Sequence, residues 1–299
     1  GIIPRAVEDI FARVAKLRSA GATVGITASF LEVHNEEIRD LLAGESGKQG
    51  EAGAVADGPS SATTGGTQGG LPLREGPTGD VVVTGLTQHQ LNGAQELGLL
   101  LERGALCRAT ASTNMNRHSS RSHAICTLSI EVAKQATEET PESVVVSSFQ
   151  LVDLAGSERA KKTGAEGKRF KEGVSINKGL LALGNVICAL SDIHQRGGGG
   201  GGGGGHGHVP YRDSKLTRLL QGSLGGNSHT VMIACVSPAD SNLAESMSTL
   251  RYAGRAMRIK NTAIKNEGPA DAPVSYAEVV ALRKEVRHLQ VQLVHARLP

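Results

Sequence analysis

Two apolar runs near the middle of the chain, AICTLSIEV (124–132) and VVVSSFQLVD (144–153), are separated by a polar turn that contains Pro141. Their length and their content of Val, Ile and Thr predict two strands. Around them, strand patterns alternate with helical ones. Pro4 opens a helical stretch whose Val7, Ile10, Phe11, Val14 and Leu17 share one face, and Gly21 closes it. TVGITASFLEVH (23–34) alternates Val24, Ile26, Ala28 and Phe30 and predicts a strand, followed by a short helical turn in NEEIRDLL. VVVTGL (81–86) predicts a strand and residues 93–108 a helix with Leu97, Leu100 and Leu101 inward. Residues 172–191 predict a long helix, SKLTRLLQ another, and HTVMIACVSP a near-continuous apolar strand buried on both faces. A last helix is expected at 243–259. Alternation of this kind predicts a layered α/β domain, whose ligands sit beyond the carboxyl ends of its strands.

Glycine marks what does not pack. Residues 43–70 and the nine consecutive glycines Gly197–Gly205, within 196–208, are expected to be flexible insertions. The hydrophobic fraction of 39% supports a core, which rests on aliphatic side chains because Trp is absent. A formal charge of +3 with mixed signs does not by itself imply nucleic-acid binding. Cys107, Cys126, Cys188 and Cys235 form no CxxC pair and predict reduced core thiols in an intracellular protein. No apolar run approaches membrane-spanning length. The opening GIIPRAVEDIF has neither an initiator Met nor a signal-peptide layout, so a fragment is expected.

Two stretches carry chemistry. In SSFQLVDLAGSE an apolar strand ends in Asp153, and Gly156 follows three residues later. A carboxylate at a strand's end can hold Mg²⁺ through water, and a glycine lets a backbone N–H approach a terminal phosphate. In NRHSSRSH the hydroxyls of Ser119 and Ser120 can ligate the metal or position water, and Arg121 can pair with a carboxylate such as Glu158. Each stretch alone also fits an ordinary strand-to-turn junction or a polar loop. A Ser/His/Asp triad is disfavoured because no G-x-S-x-G elbow is present.

Taken together with SFLEVHNEEIRDLL, INKGLLALGNVICAL, HVPYRDSKLTRLLQGSLGGNSHTVMIACVSPADSN and STLRYAGRAMRIKN, these stretches resemble a kinesin motor domain, most closely the chromokinesin branch. The resemblance implies a three-layer αβα fold related to the P-loop NTPases, a central sheet flanked by helices, and the cofactors ATP and Mg²⁺. It also implies roles. Ser120 would approach Mg²⁺ and Ser119 the attacking water; Asp153 would hold Mg²⁺ through water, Gly156 would contact the γ-phosphate, and Asn116 would line the nucleotide site. Arg121 and Glu158 would close a salt bridge between the two loops. One part of the pattern is missing: no G-x-x-x-x-G-K-[ST] occurs in the sequence. A domain truncated at its start, without its first strands and inactive alone, is therefore expected.

Arg159, Lys161, Lys162, Lys168, Arg169 and Lys171 face only Glu166 as a nearby acid, and Arg212, Lys215 and Arg218 form a second basic cluster beyond the long helix. Two basic loops flanking one helix suit an acidic polymer. In the resemblance this is the tubulin-binding face, with Tyr211 included. His206 and His208 lack the further ligands a metal site needs. The expected layout is a partial motor domain at 1–266, a linker at 267–275 and the start of a neck coiled coil at 276–299, through which copies could self-associate. The implied partner is the microtubule and the implied location the cytoskeleton, with spindle or nuclear association open; contact with chromatin would need parts outside this chain. A non-enzymatic microtubule-binding module and a nucleic-acid binder are the rival classes.

Overall fold

A computed structural model describes residues 1–43, 70–76, 80–110, 121–134, 143–156, 168–196 and 208–269. The first helix, α1 (Ile2–Ser19), leads into β1 (Thr23–His34), the longest run of alternating burial in the sheet. The chain then folds straight back into β2 (Glu37–Asp40) rather than into the expected helical turn. Asn35 (φ 52°) and Glu36 (φ 61°) both take left-handed conformations, as a two-residue type I′ hairpin turn requires. Asn accepts this readily; Glu36 does so at a cost of about 1 kcal/mol and is held by accepting the Lys215 N–H at 2.8 Å. Fully buried Ile38 is what draws NEEIRDLL onto the sheet.

A small hairpin of β3 (Leu73–Glu75) and β4 (Val81–Val83) stands apart from the main sheet, and β5 (His89–Gln90) pairs with β1. After α2 (Ala94–Thr110) come β6 (His123–Lys134) and β7 (Ser143–Asp153), the two strands predicted from the central runs. Then follow α3 (Lys168–Arg196), α4 (Lys215–Leu219), α5 (Leu243–Ala256) and β8 (Glu267–Pro269). The sheet runs β2-β1-β6-β7-β8, with every pair antiparallel. The expected linker thus opens with a strand on β7.

Strand alternation divides the core in two. Val24, Ile26, Ala28, Cys126 and Leu128 face Val7 and Val14 of α1 and Leu97 of α2. Leu31, Val33 and Ile125 face the other way, onto Leu183 and Ile187 of α3 and Leu216 of α4. Helices on both faces of one sheet make the three layers expected. Gly104 lets α2 lie close to β1, since a Cβ there would overlap the Phe30 ring. Ser214 caps α4 by accepting the Thr217 N–H at 3.0 Å.

HTVMIACVSP differs from expectation: residues 229–238 form no strand, and Val231 and Ile233 are 88% and 63% exposed. The segment is pinned at its ends, where Thr230 Oγ1 donates to the Ser223 carbonyl and the Ser237 N–H donates to Ser246 Oγ. Between those pins no described strand offers it a ladder, so an apolar run alone cannot become a buried strand. Exposed Cys235 lies there too, so only Cys126 of the four thiols is a fully buried one. Among the described residues no helix is long and apolar enough to cross a membrane.

Candidate nucleotide-responsive site

Register places the site. Across three adjacent strands Glu32 of β1 pairs with Ala124 of β6, and Ala124 pairs with Asp153 of β7. Phe149 and Leu151 of β7 face the α1/α2 side, so Asp153, two residues further on, shares that face, as does Glu32 with Phe30. Arg108, in the last turn of α2, enters between the two acids. Its Nη1 donates to Asp153 Oδ2 at 2.7 Å and its Nη2 to the Ser122 carbonyl at 2.7 Å. Its Nε donates to Ser122 Oγ at 3.2 Å and stands 3.6 Å from Glu32 Oε1. The Glu32 side chain is 1% exposed, that of Arg108 11% and that of Asp153 71%. A cation at a helix C-terminus is also favoured by the helix dipole.

His123 orders the chain just beyond Asp153. Its Nδ1 accepts the Ala155 N–H at 3.0 Å, which requires a neutral ring with the proton on Nε2. Burial, reinforced by the Arg108 charge and opposed by Asp153, pushes the His123 pKa down to about 4. In the unfolded chain the value is 6.5. Between these values the unfolded state binds a proton that the folded state refuses, so stability is full above pH 6.5 and falls as pH drops toward 4. The total loss is about 3 kcal/mol, about 2 of it by pH 5. Urea unfolding at pH 7 and pH 5 should show this loss in the wild type and not in His123→Gln; an equal loss of stability in both proteins would reject the assignment.

The sequence reading named Asp153 and missed Arg108, Glu32, Ser122 and His123. Arg108 reads there as one more charge on a helix, and Glu32 as an outward residue of an alternating strand. Arg121 is half-buried and directly precedes Ser122, so the serine-rich stretch ends beside Asp153. Gly156 lies three residues beyond Asp153, just past the Ala155 held by His123. Asn116, Ser119, Ser120, Glu158, Arg159, Lys161 and Lys162 lie outside the described residues, so the Arg121–Glu158 pair does as well. Among the described residues no group of three or more His, Cys, Asp and Glu comes together. Arg108 occupies Oδ2 of Asp153, and no described group bonds to its Oδ1.

Of the basic residues, Lys168, Arg169 and Lys171 fall in the first turn of α3, where no acid accompanies them. Cations there oppose the helix dipole. Arg212 Nη2 and Arg218 Nη2 both reach Glu75 Oε1, at 3.1 and 3.3 Å. The Lys215 amide caps onto Glu36, and the Tyr211 hydroxyl donates to the Leu224 carbonyl. Burial raises the Tyr211 pKa.

Fold and site define a three-layer α/β domain that gathers the roots of two loops at one end of its central strands. Residues 1–259 match the family model for the kinesin motor domain. Kinesin-like protein KIN-4C of Arabidopsis thaliana is 47% identical over 311 residues, covering 99% of this chain and 22% of that protein. Chromosome-associated kinesin KIF4A of Homo sapiens is 46% identical over 296 residues, covering 99% of this chain and 21% of that protein. A solved structure of a KIF14 dimer, in its two-heads-bound state with AMP-PNP on a microtubule, superposes with a TM-score of 0.72 at 43% identity; the match covers 89% of this chain and 67% of that one. The chain belongs to the kinesin motor domain family, and it spans about a fifth of the length of these curated relatives.

Proposed function

We propose that this chain is the motor part of a microtubule-based ATPase, in which the state of a bound nucleotide sets the grip on the track. The observation that carries the reading is the junction of Ser122 and Asp153 through Arg108, which ties the end of one loop to the start of the other. Family membership and the AMP-PNP and microtubule named for a solved relative support it. Mg²⁺, when bound with ATP, would offset charge on the transferring phosphate. Asp153 would hold it through water and Ser120 directly, while Ser119 would orient the attacking water and Asn116 would line the nucleotide site. Gly156 would meet the γ-phosphate through its N–H, and Arg121 with Glu158 would close the loops over it.

Track binding falls to Arg159, Lys161 and Lys162, to Lys168, Arg169 and Lys171 in the first turn of α3, and to Tyr211, Arg212, Lys215 and Arg218 around α4. The cations on the first turn of α3, where they oppose the helix dipole, fit this role. Residues 276–299 would self-associate as a coiled coil, and the protein would work at the cytoskeleton, with spindle or chromosome association suggested by relatives named for chromosomes.

Cosedimentation of the full-length protein with microtubules is the test. Binding should be tight with a non-hydrolysable ATP analogue and weaker with ADP; the same affinity in every nucleotide state would favour a non-catalytic binding module. Glu75 offers a second measurement, because it neutralises two of the proposed track cations. Exposed pairs of this kind are worth about 0.2–1 kcal/mol. Glu75→Gln should therefore tighten microtubule binding about two- to fivefold at low salt, with the gain shrinking as salt rises. An unchanged affinity would remove Arg212 and Arg218 from the face.

A further inference from the structure

The two ring nitrogens of His123 serve different parts of the molecule. Nδ1 accepts the Ala155 N–H at 3.0 Å, between Asp153 and Gly156. Nε2 lies beneath the middle of α3, 3.5 Å from where a Cβ on Gly179 would stand. Glu36 Oε1 and Leu216 Cδ2 lie 3.7 and 4.0 Å from the same point. His123 and Gly179 are both buried, so this seat of the helix is internal. A glycine inside a helix gives up stability relative to alanine, and close packing is the usual reason to keep one. Gly104 has that reason, since a Cβ there would overlap the Phe30 ring. Gly179 does not: every contact its Cβ would make is an ordinary van der Waals one. The same holds for Gly184, about 140° further round the helix, whose Cβ would stand 3.7 Å from Tyr252 of α5. The described packing therefore leaves methyl-sized room beside α3 in two directions, toward the sheet and toward α5.

We propose that His123 is a positioning residue that couples the nucleotide loop to the track helix, bearing on Ala155 with one nitrogen and on α3 with the other, and that Gly179 leaves the helix room to settle closer onto the ring. The inference rests on the motor reading above. A displacement of Gly156 on meeting phosphate moves its neighbour Ala155, and the bond from the Ala155 N–H carries that movement to the imidazole. The ring in turn bears on α3. From Gly179 to the first-turn cations Lys168 and Lys171 the helix runs unbroken for 11 and 8 residues, roughly 12–17 Å, so a shift at the seat moves the basic turn with it. Glu36 stands beside the ring at the same seat, and its Oε2 accepts the Lys215 N–H at 2.8 Å, which ties α4 to it. An alanine at 179 fits the described seat and blocks the closer one.

The test measures microtubule affinity with AMP-PNP and with ADP, beside the melting temperature, for full-length wild type, Gly179→Ala, His123→Ala and the double variant. Gly179→Ala should melt roughly 2–4 °C higher, because the methyl fits and alanine favours the helix. The ratio of its two affinities should nevertheless fall about 2–30-fold. A residue that served packing alone would not part these two readouts. In the His123→Ala background, where the ring is gone, Gly179→Ala should leave the ratio unchanged; if His123→Ala fails to fold, Gly179→Ala decides alone. A folded Gly179→Ala with the wild-type ratio overturns the proposal, as does an equal fall in both backgrounds. A melting temperature below wild type overturns it too, by showing that the described packing has no room for the methyl. A wild type with one affinity in both nucleotides sinks the motor reading instead.

Discussion

Asp153→Asn is expected to lower microtubule-stimulated ATP turnover about 10²–10³-fold, the usual loss when one preorganised charge-stabilising group is removed, while leaving the melting temperature nearly unchanged. The two readouts part because of where the side chain sits. Its carboxylate is 71% exposed, so removing its charge forfeits little folding energy. An amide oxygen can still accept from Arg108 Nη1, which keeps the geometry at the loop roots. What the amide cannot supply is the negative charge a water-bound Mg²⁺ needs. Steady-state turnover with and without microtubules, beside a thermal melt, checks both halves. Turnover above a tenth of wild type would mean that Asp153 is structural and that the metal is held elsewhere.

The second large effect is on stability. Glu32→Ala should destabilise the fold by about 3–5 kcal/mol, the cost of leaving one partner of a buried ion pair uncompensated. Against a total stability of roughly 5–15 kcal/mol, that brings the domain near to unfolding. Two effects compete at this position. Asp153 also pairs with Arg108, at the shorter distance of 2.7 Å, but from an exposed position where water screens it. Glu32, at 3.6 Å, is buried on the inner side of the guanidinium and has no solvent to share the charge with. Burial decides, so Glu32 matters more to folding although it is the more distant acid. Chemical denaturation measures the loss, and Glu32→Gln, which keeps the shape and an acceptor, should lose less. A penalty for Glu32→Ala below about 1 kcal/mol would show that Asp153 and Ser122 alone satisfy the cation.

How much was legible in the sequence varies by element, and for physical reasons. The long strands β1, β6 and β7 and the helices α1, α2 and α3 were read within a few residues of their ends, because hydrophobic spacing over ten or more positions is a local property of the chain. NEEIRDLL was misread because its apolar spacing is too short to separate a helical turn from a strand; a left-handed Asn35–Glu36 turn and the pull of Ile38 into the core settled it. HTVMIACVSP fails in the opposite direction. Its residues have every local mark of a central strand, but a strand exists only through its neighbours, and no described strand pairs with it. At the site, Asp153 was found because a carboxylate at a strand's end followed by glycine is a local motif. Arg108, Glu32 and Ser122 were not, because 14 to 76 residues of chain separate them from the groups they meet.

From the sequence alone came the layered class, the main strands and helices, the kinesin resemblance and the one acid that ends β7. Those rest on periodicity and short motifs, which the chain carries wherever it is placed. Only tertiary structure decided that Glu32, Ala124 and Asp153 stand in one row, that Arg108 fills the gap over the smallest of them, and that Glu75 pairs with both Arg212 and Arg218. Register and crossing helices set those distances, and neither is encoded in any stretch short enough to be read by itself.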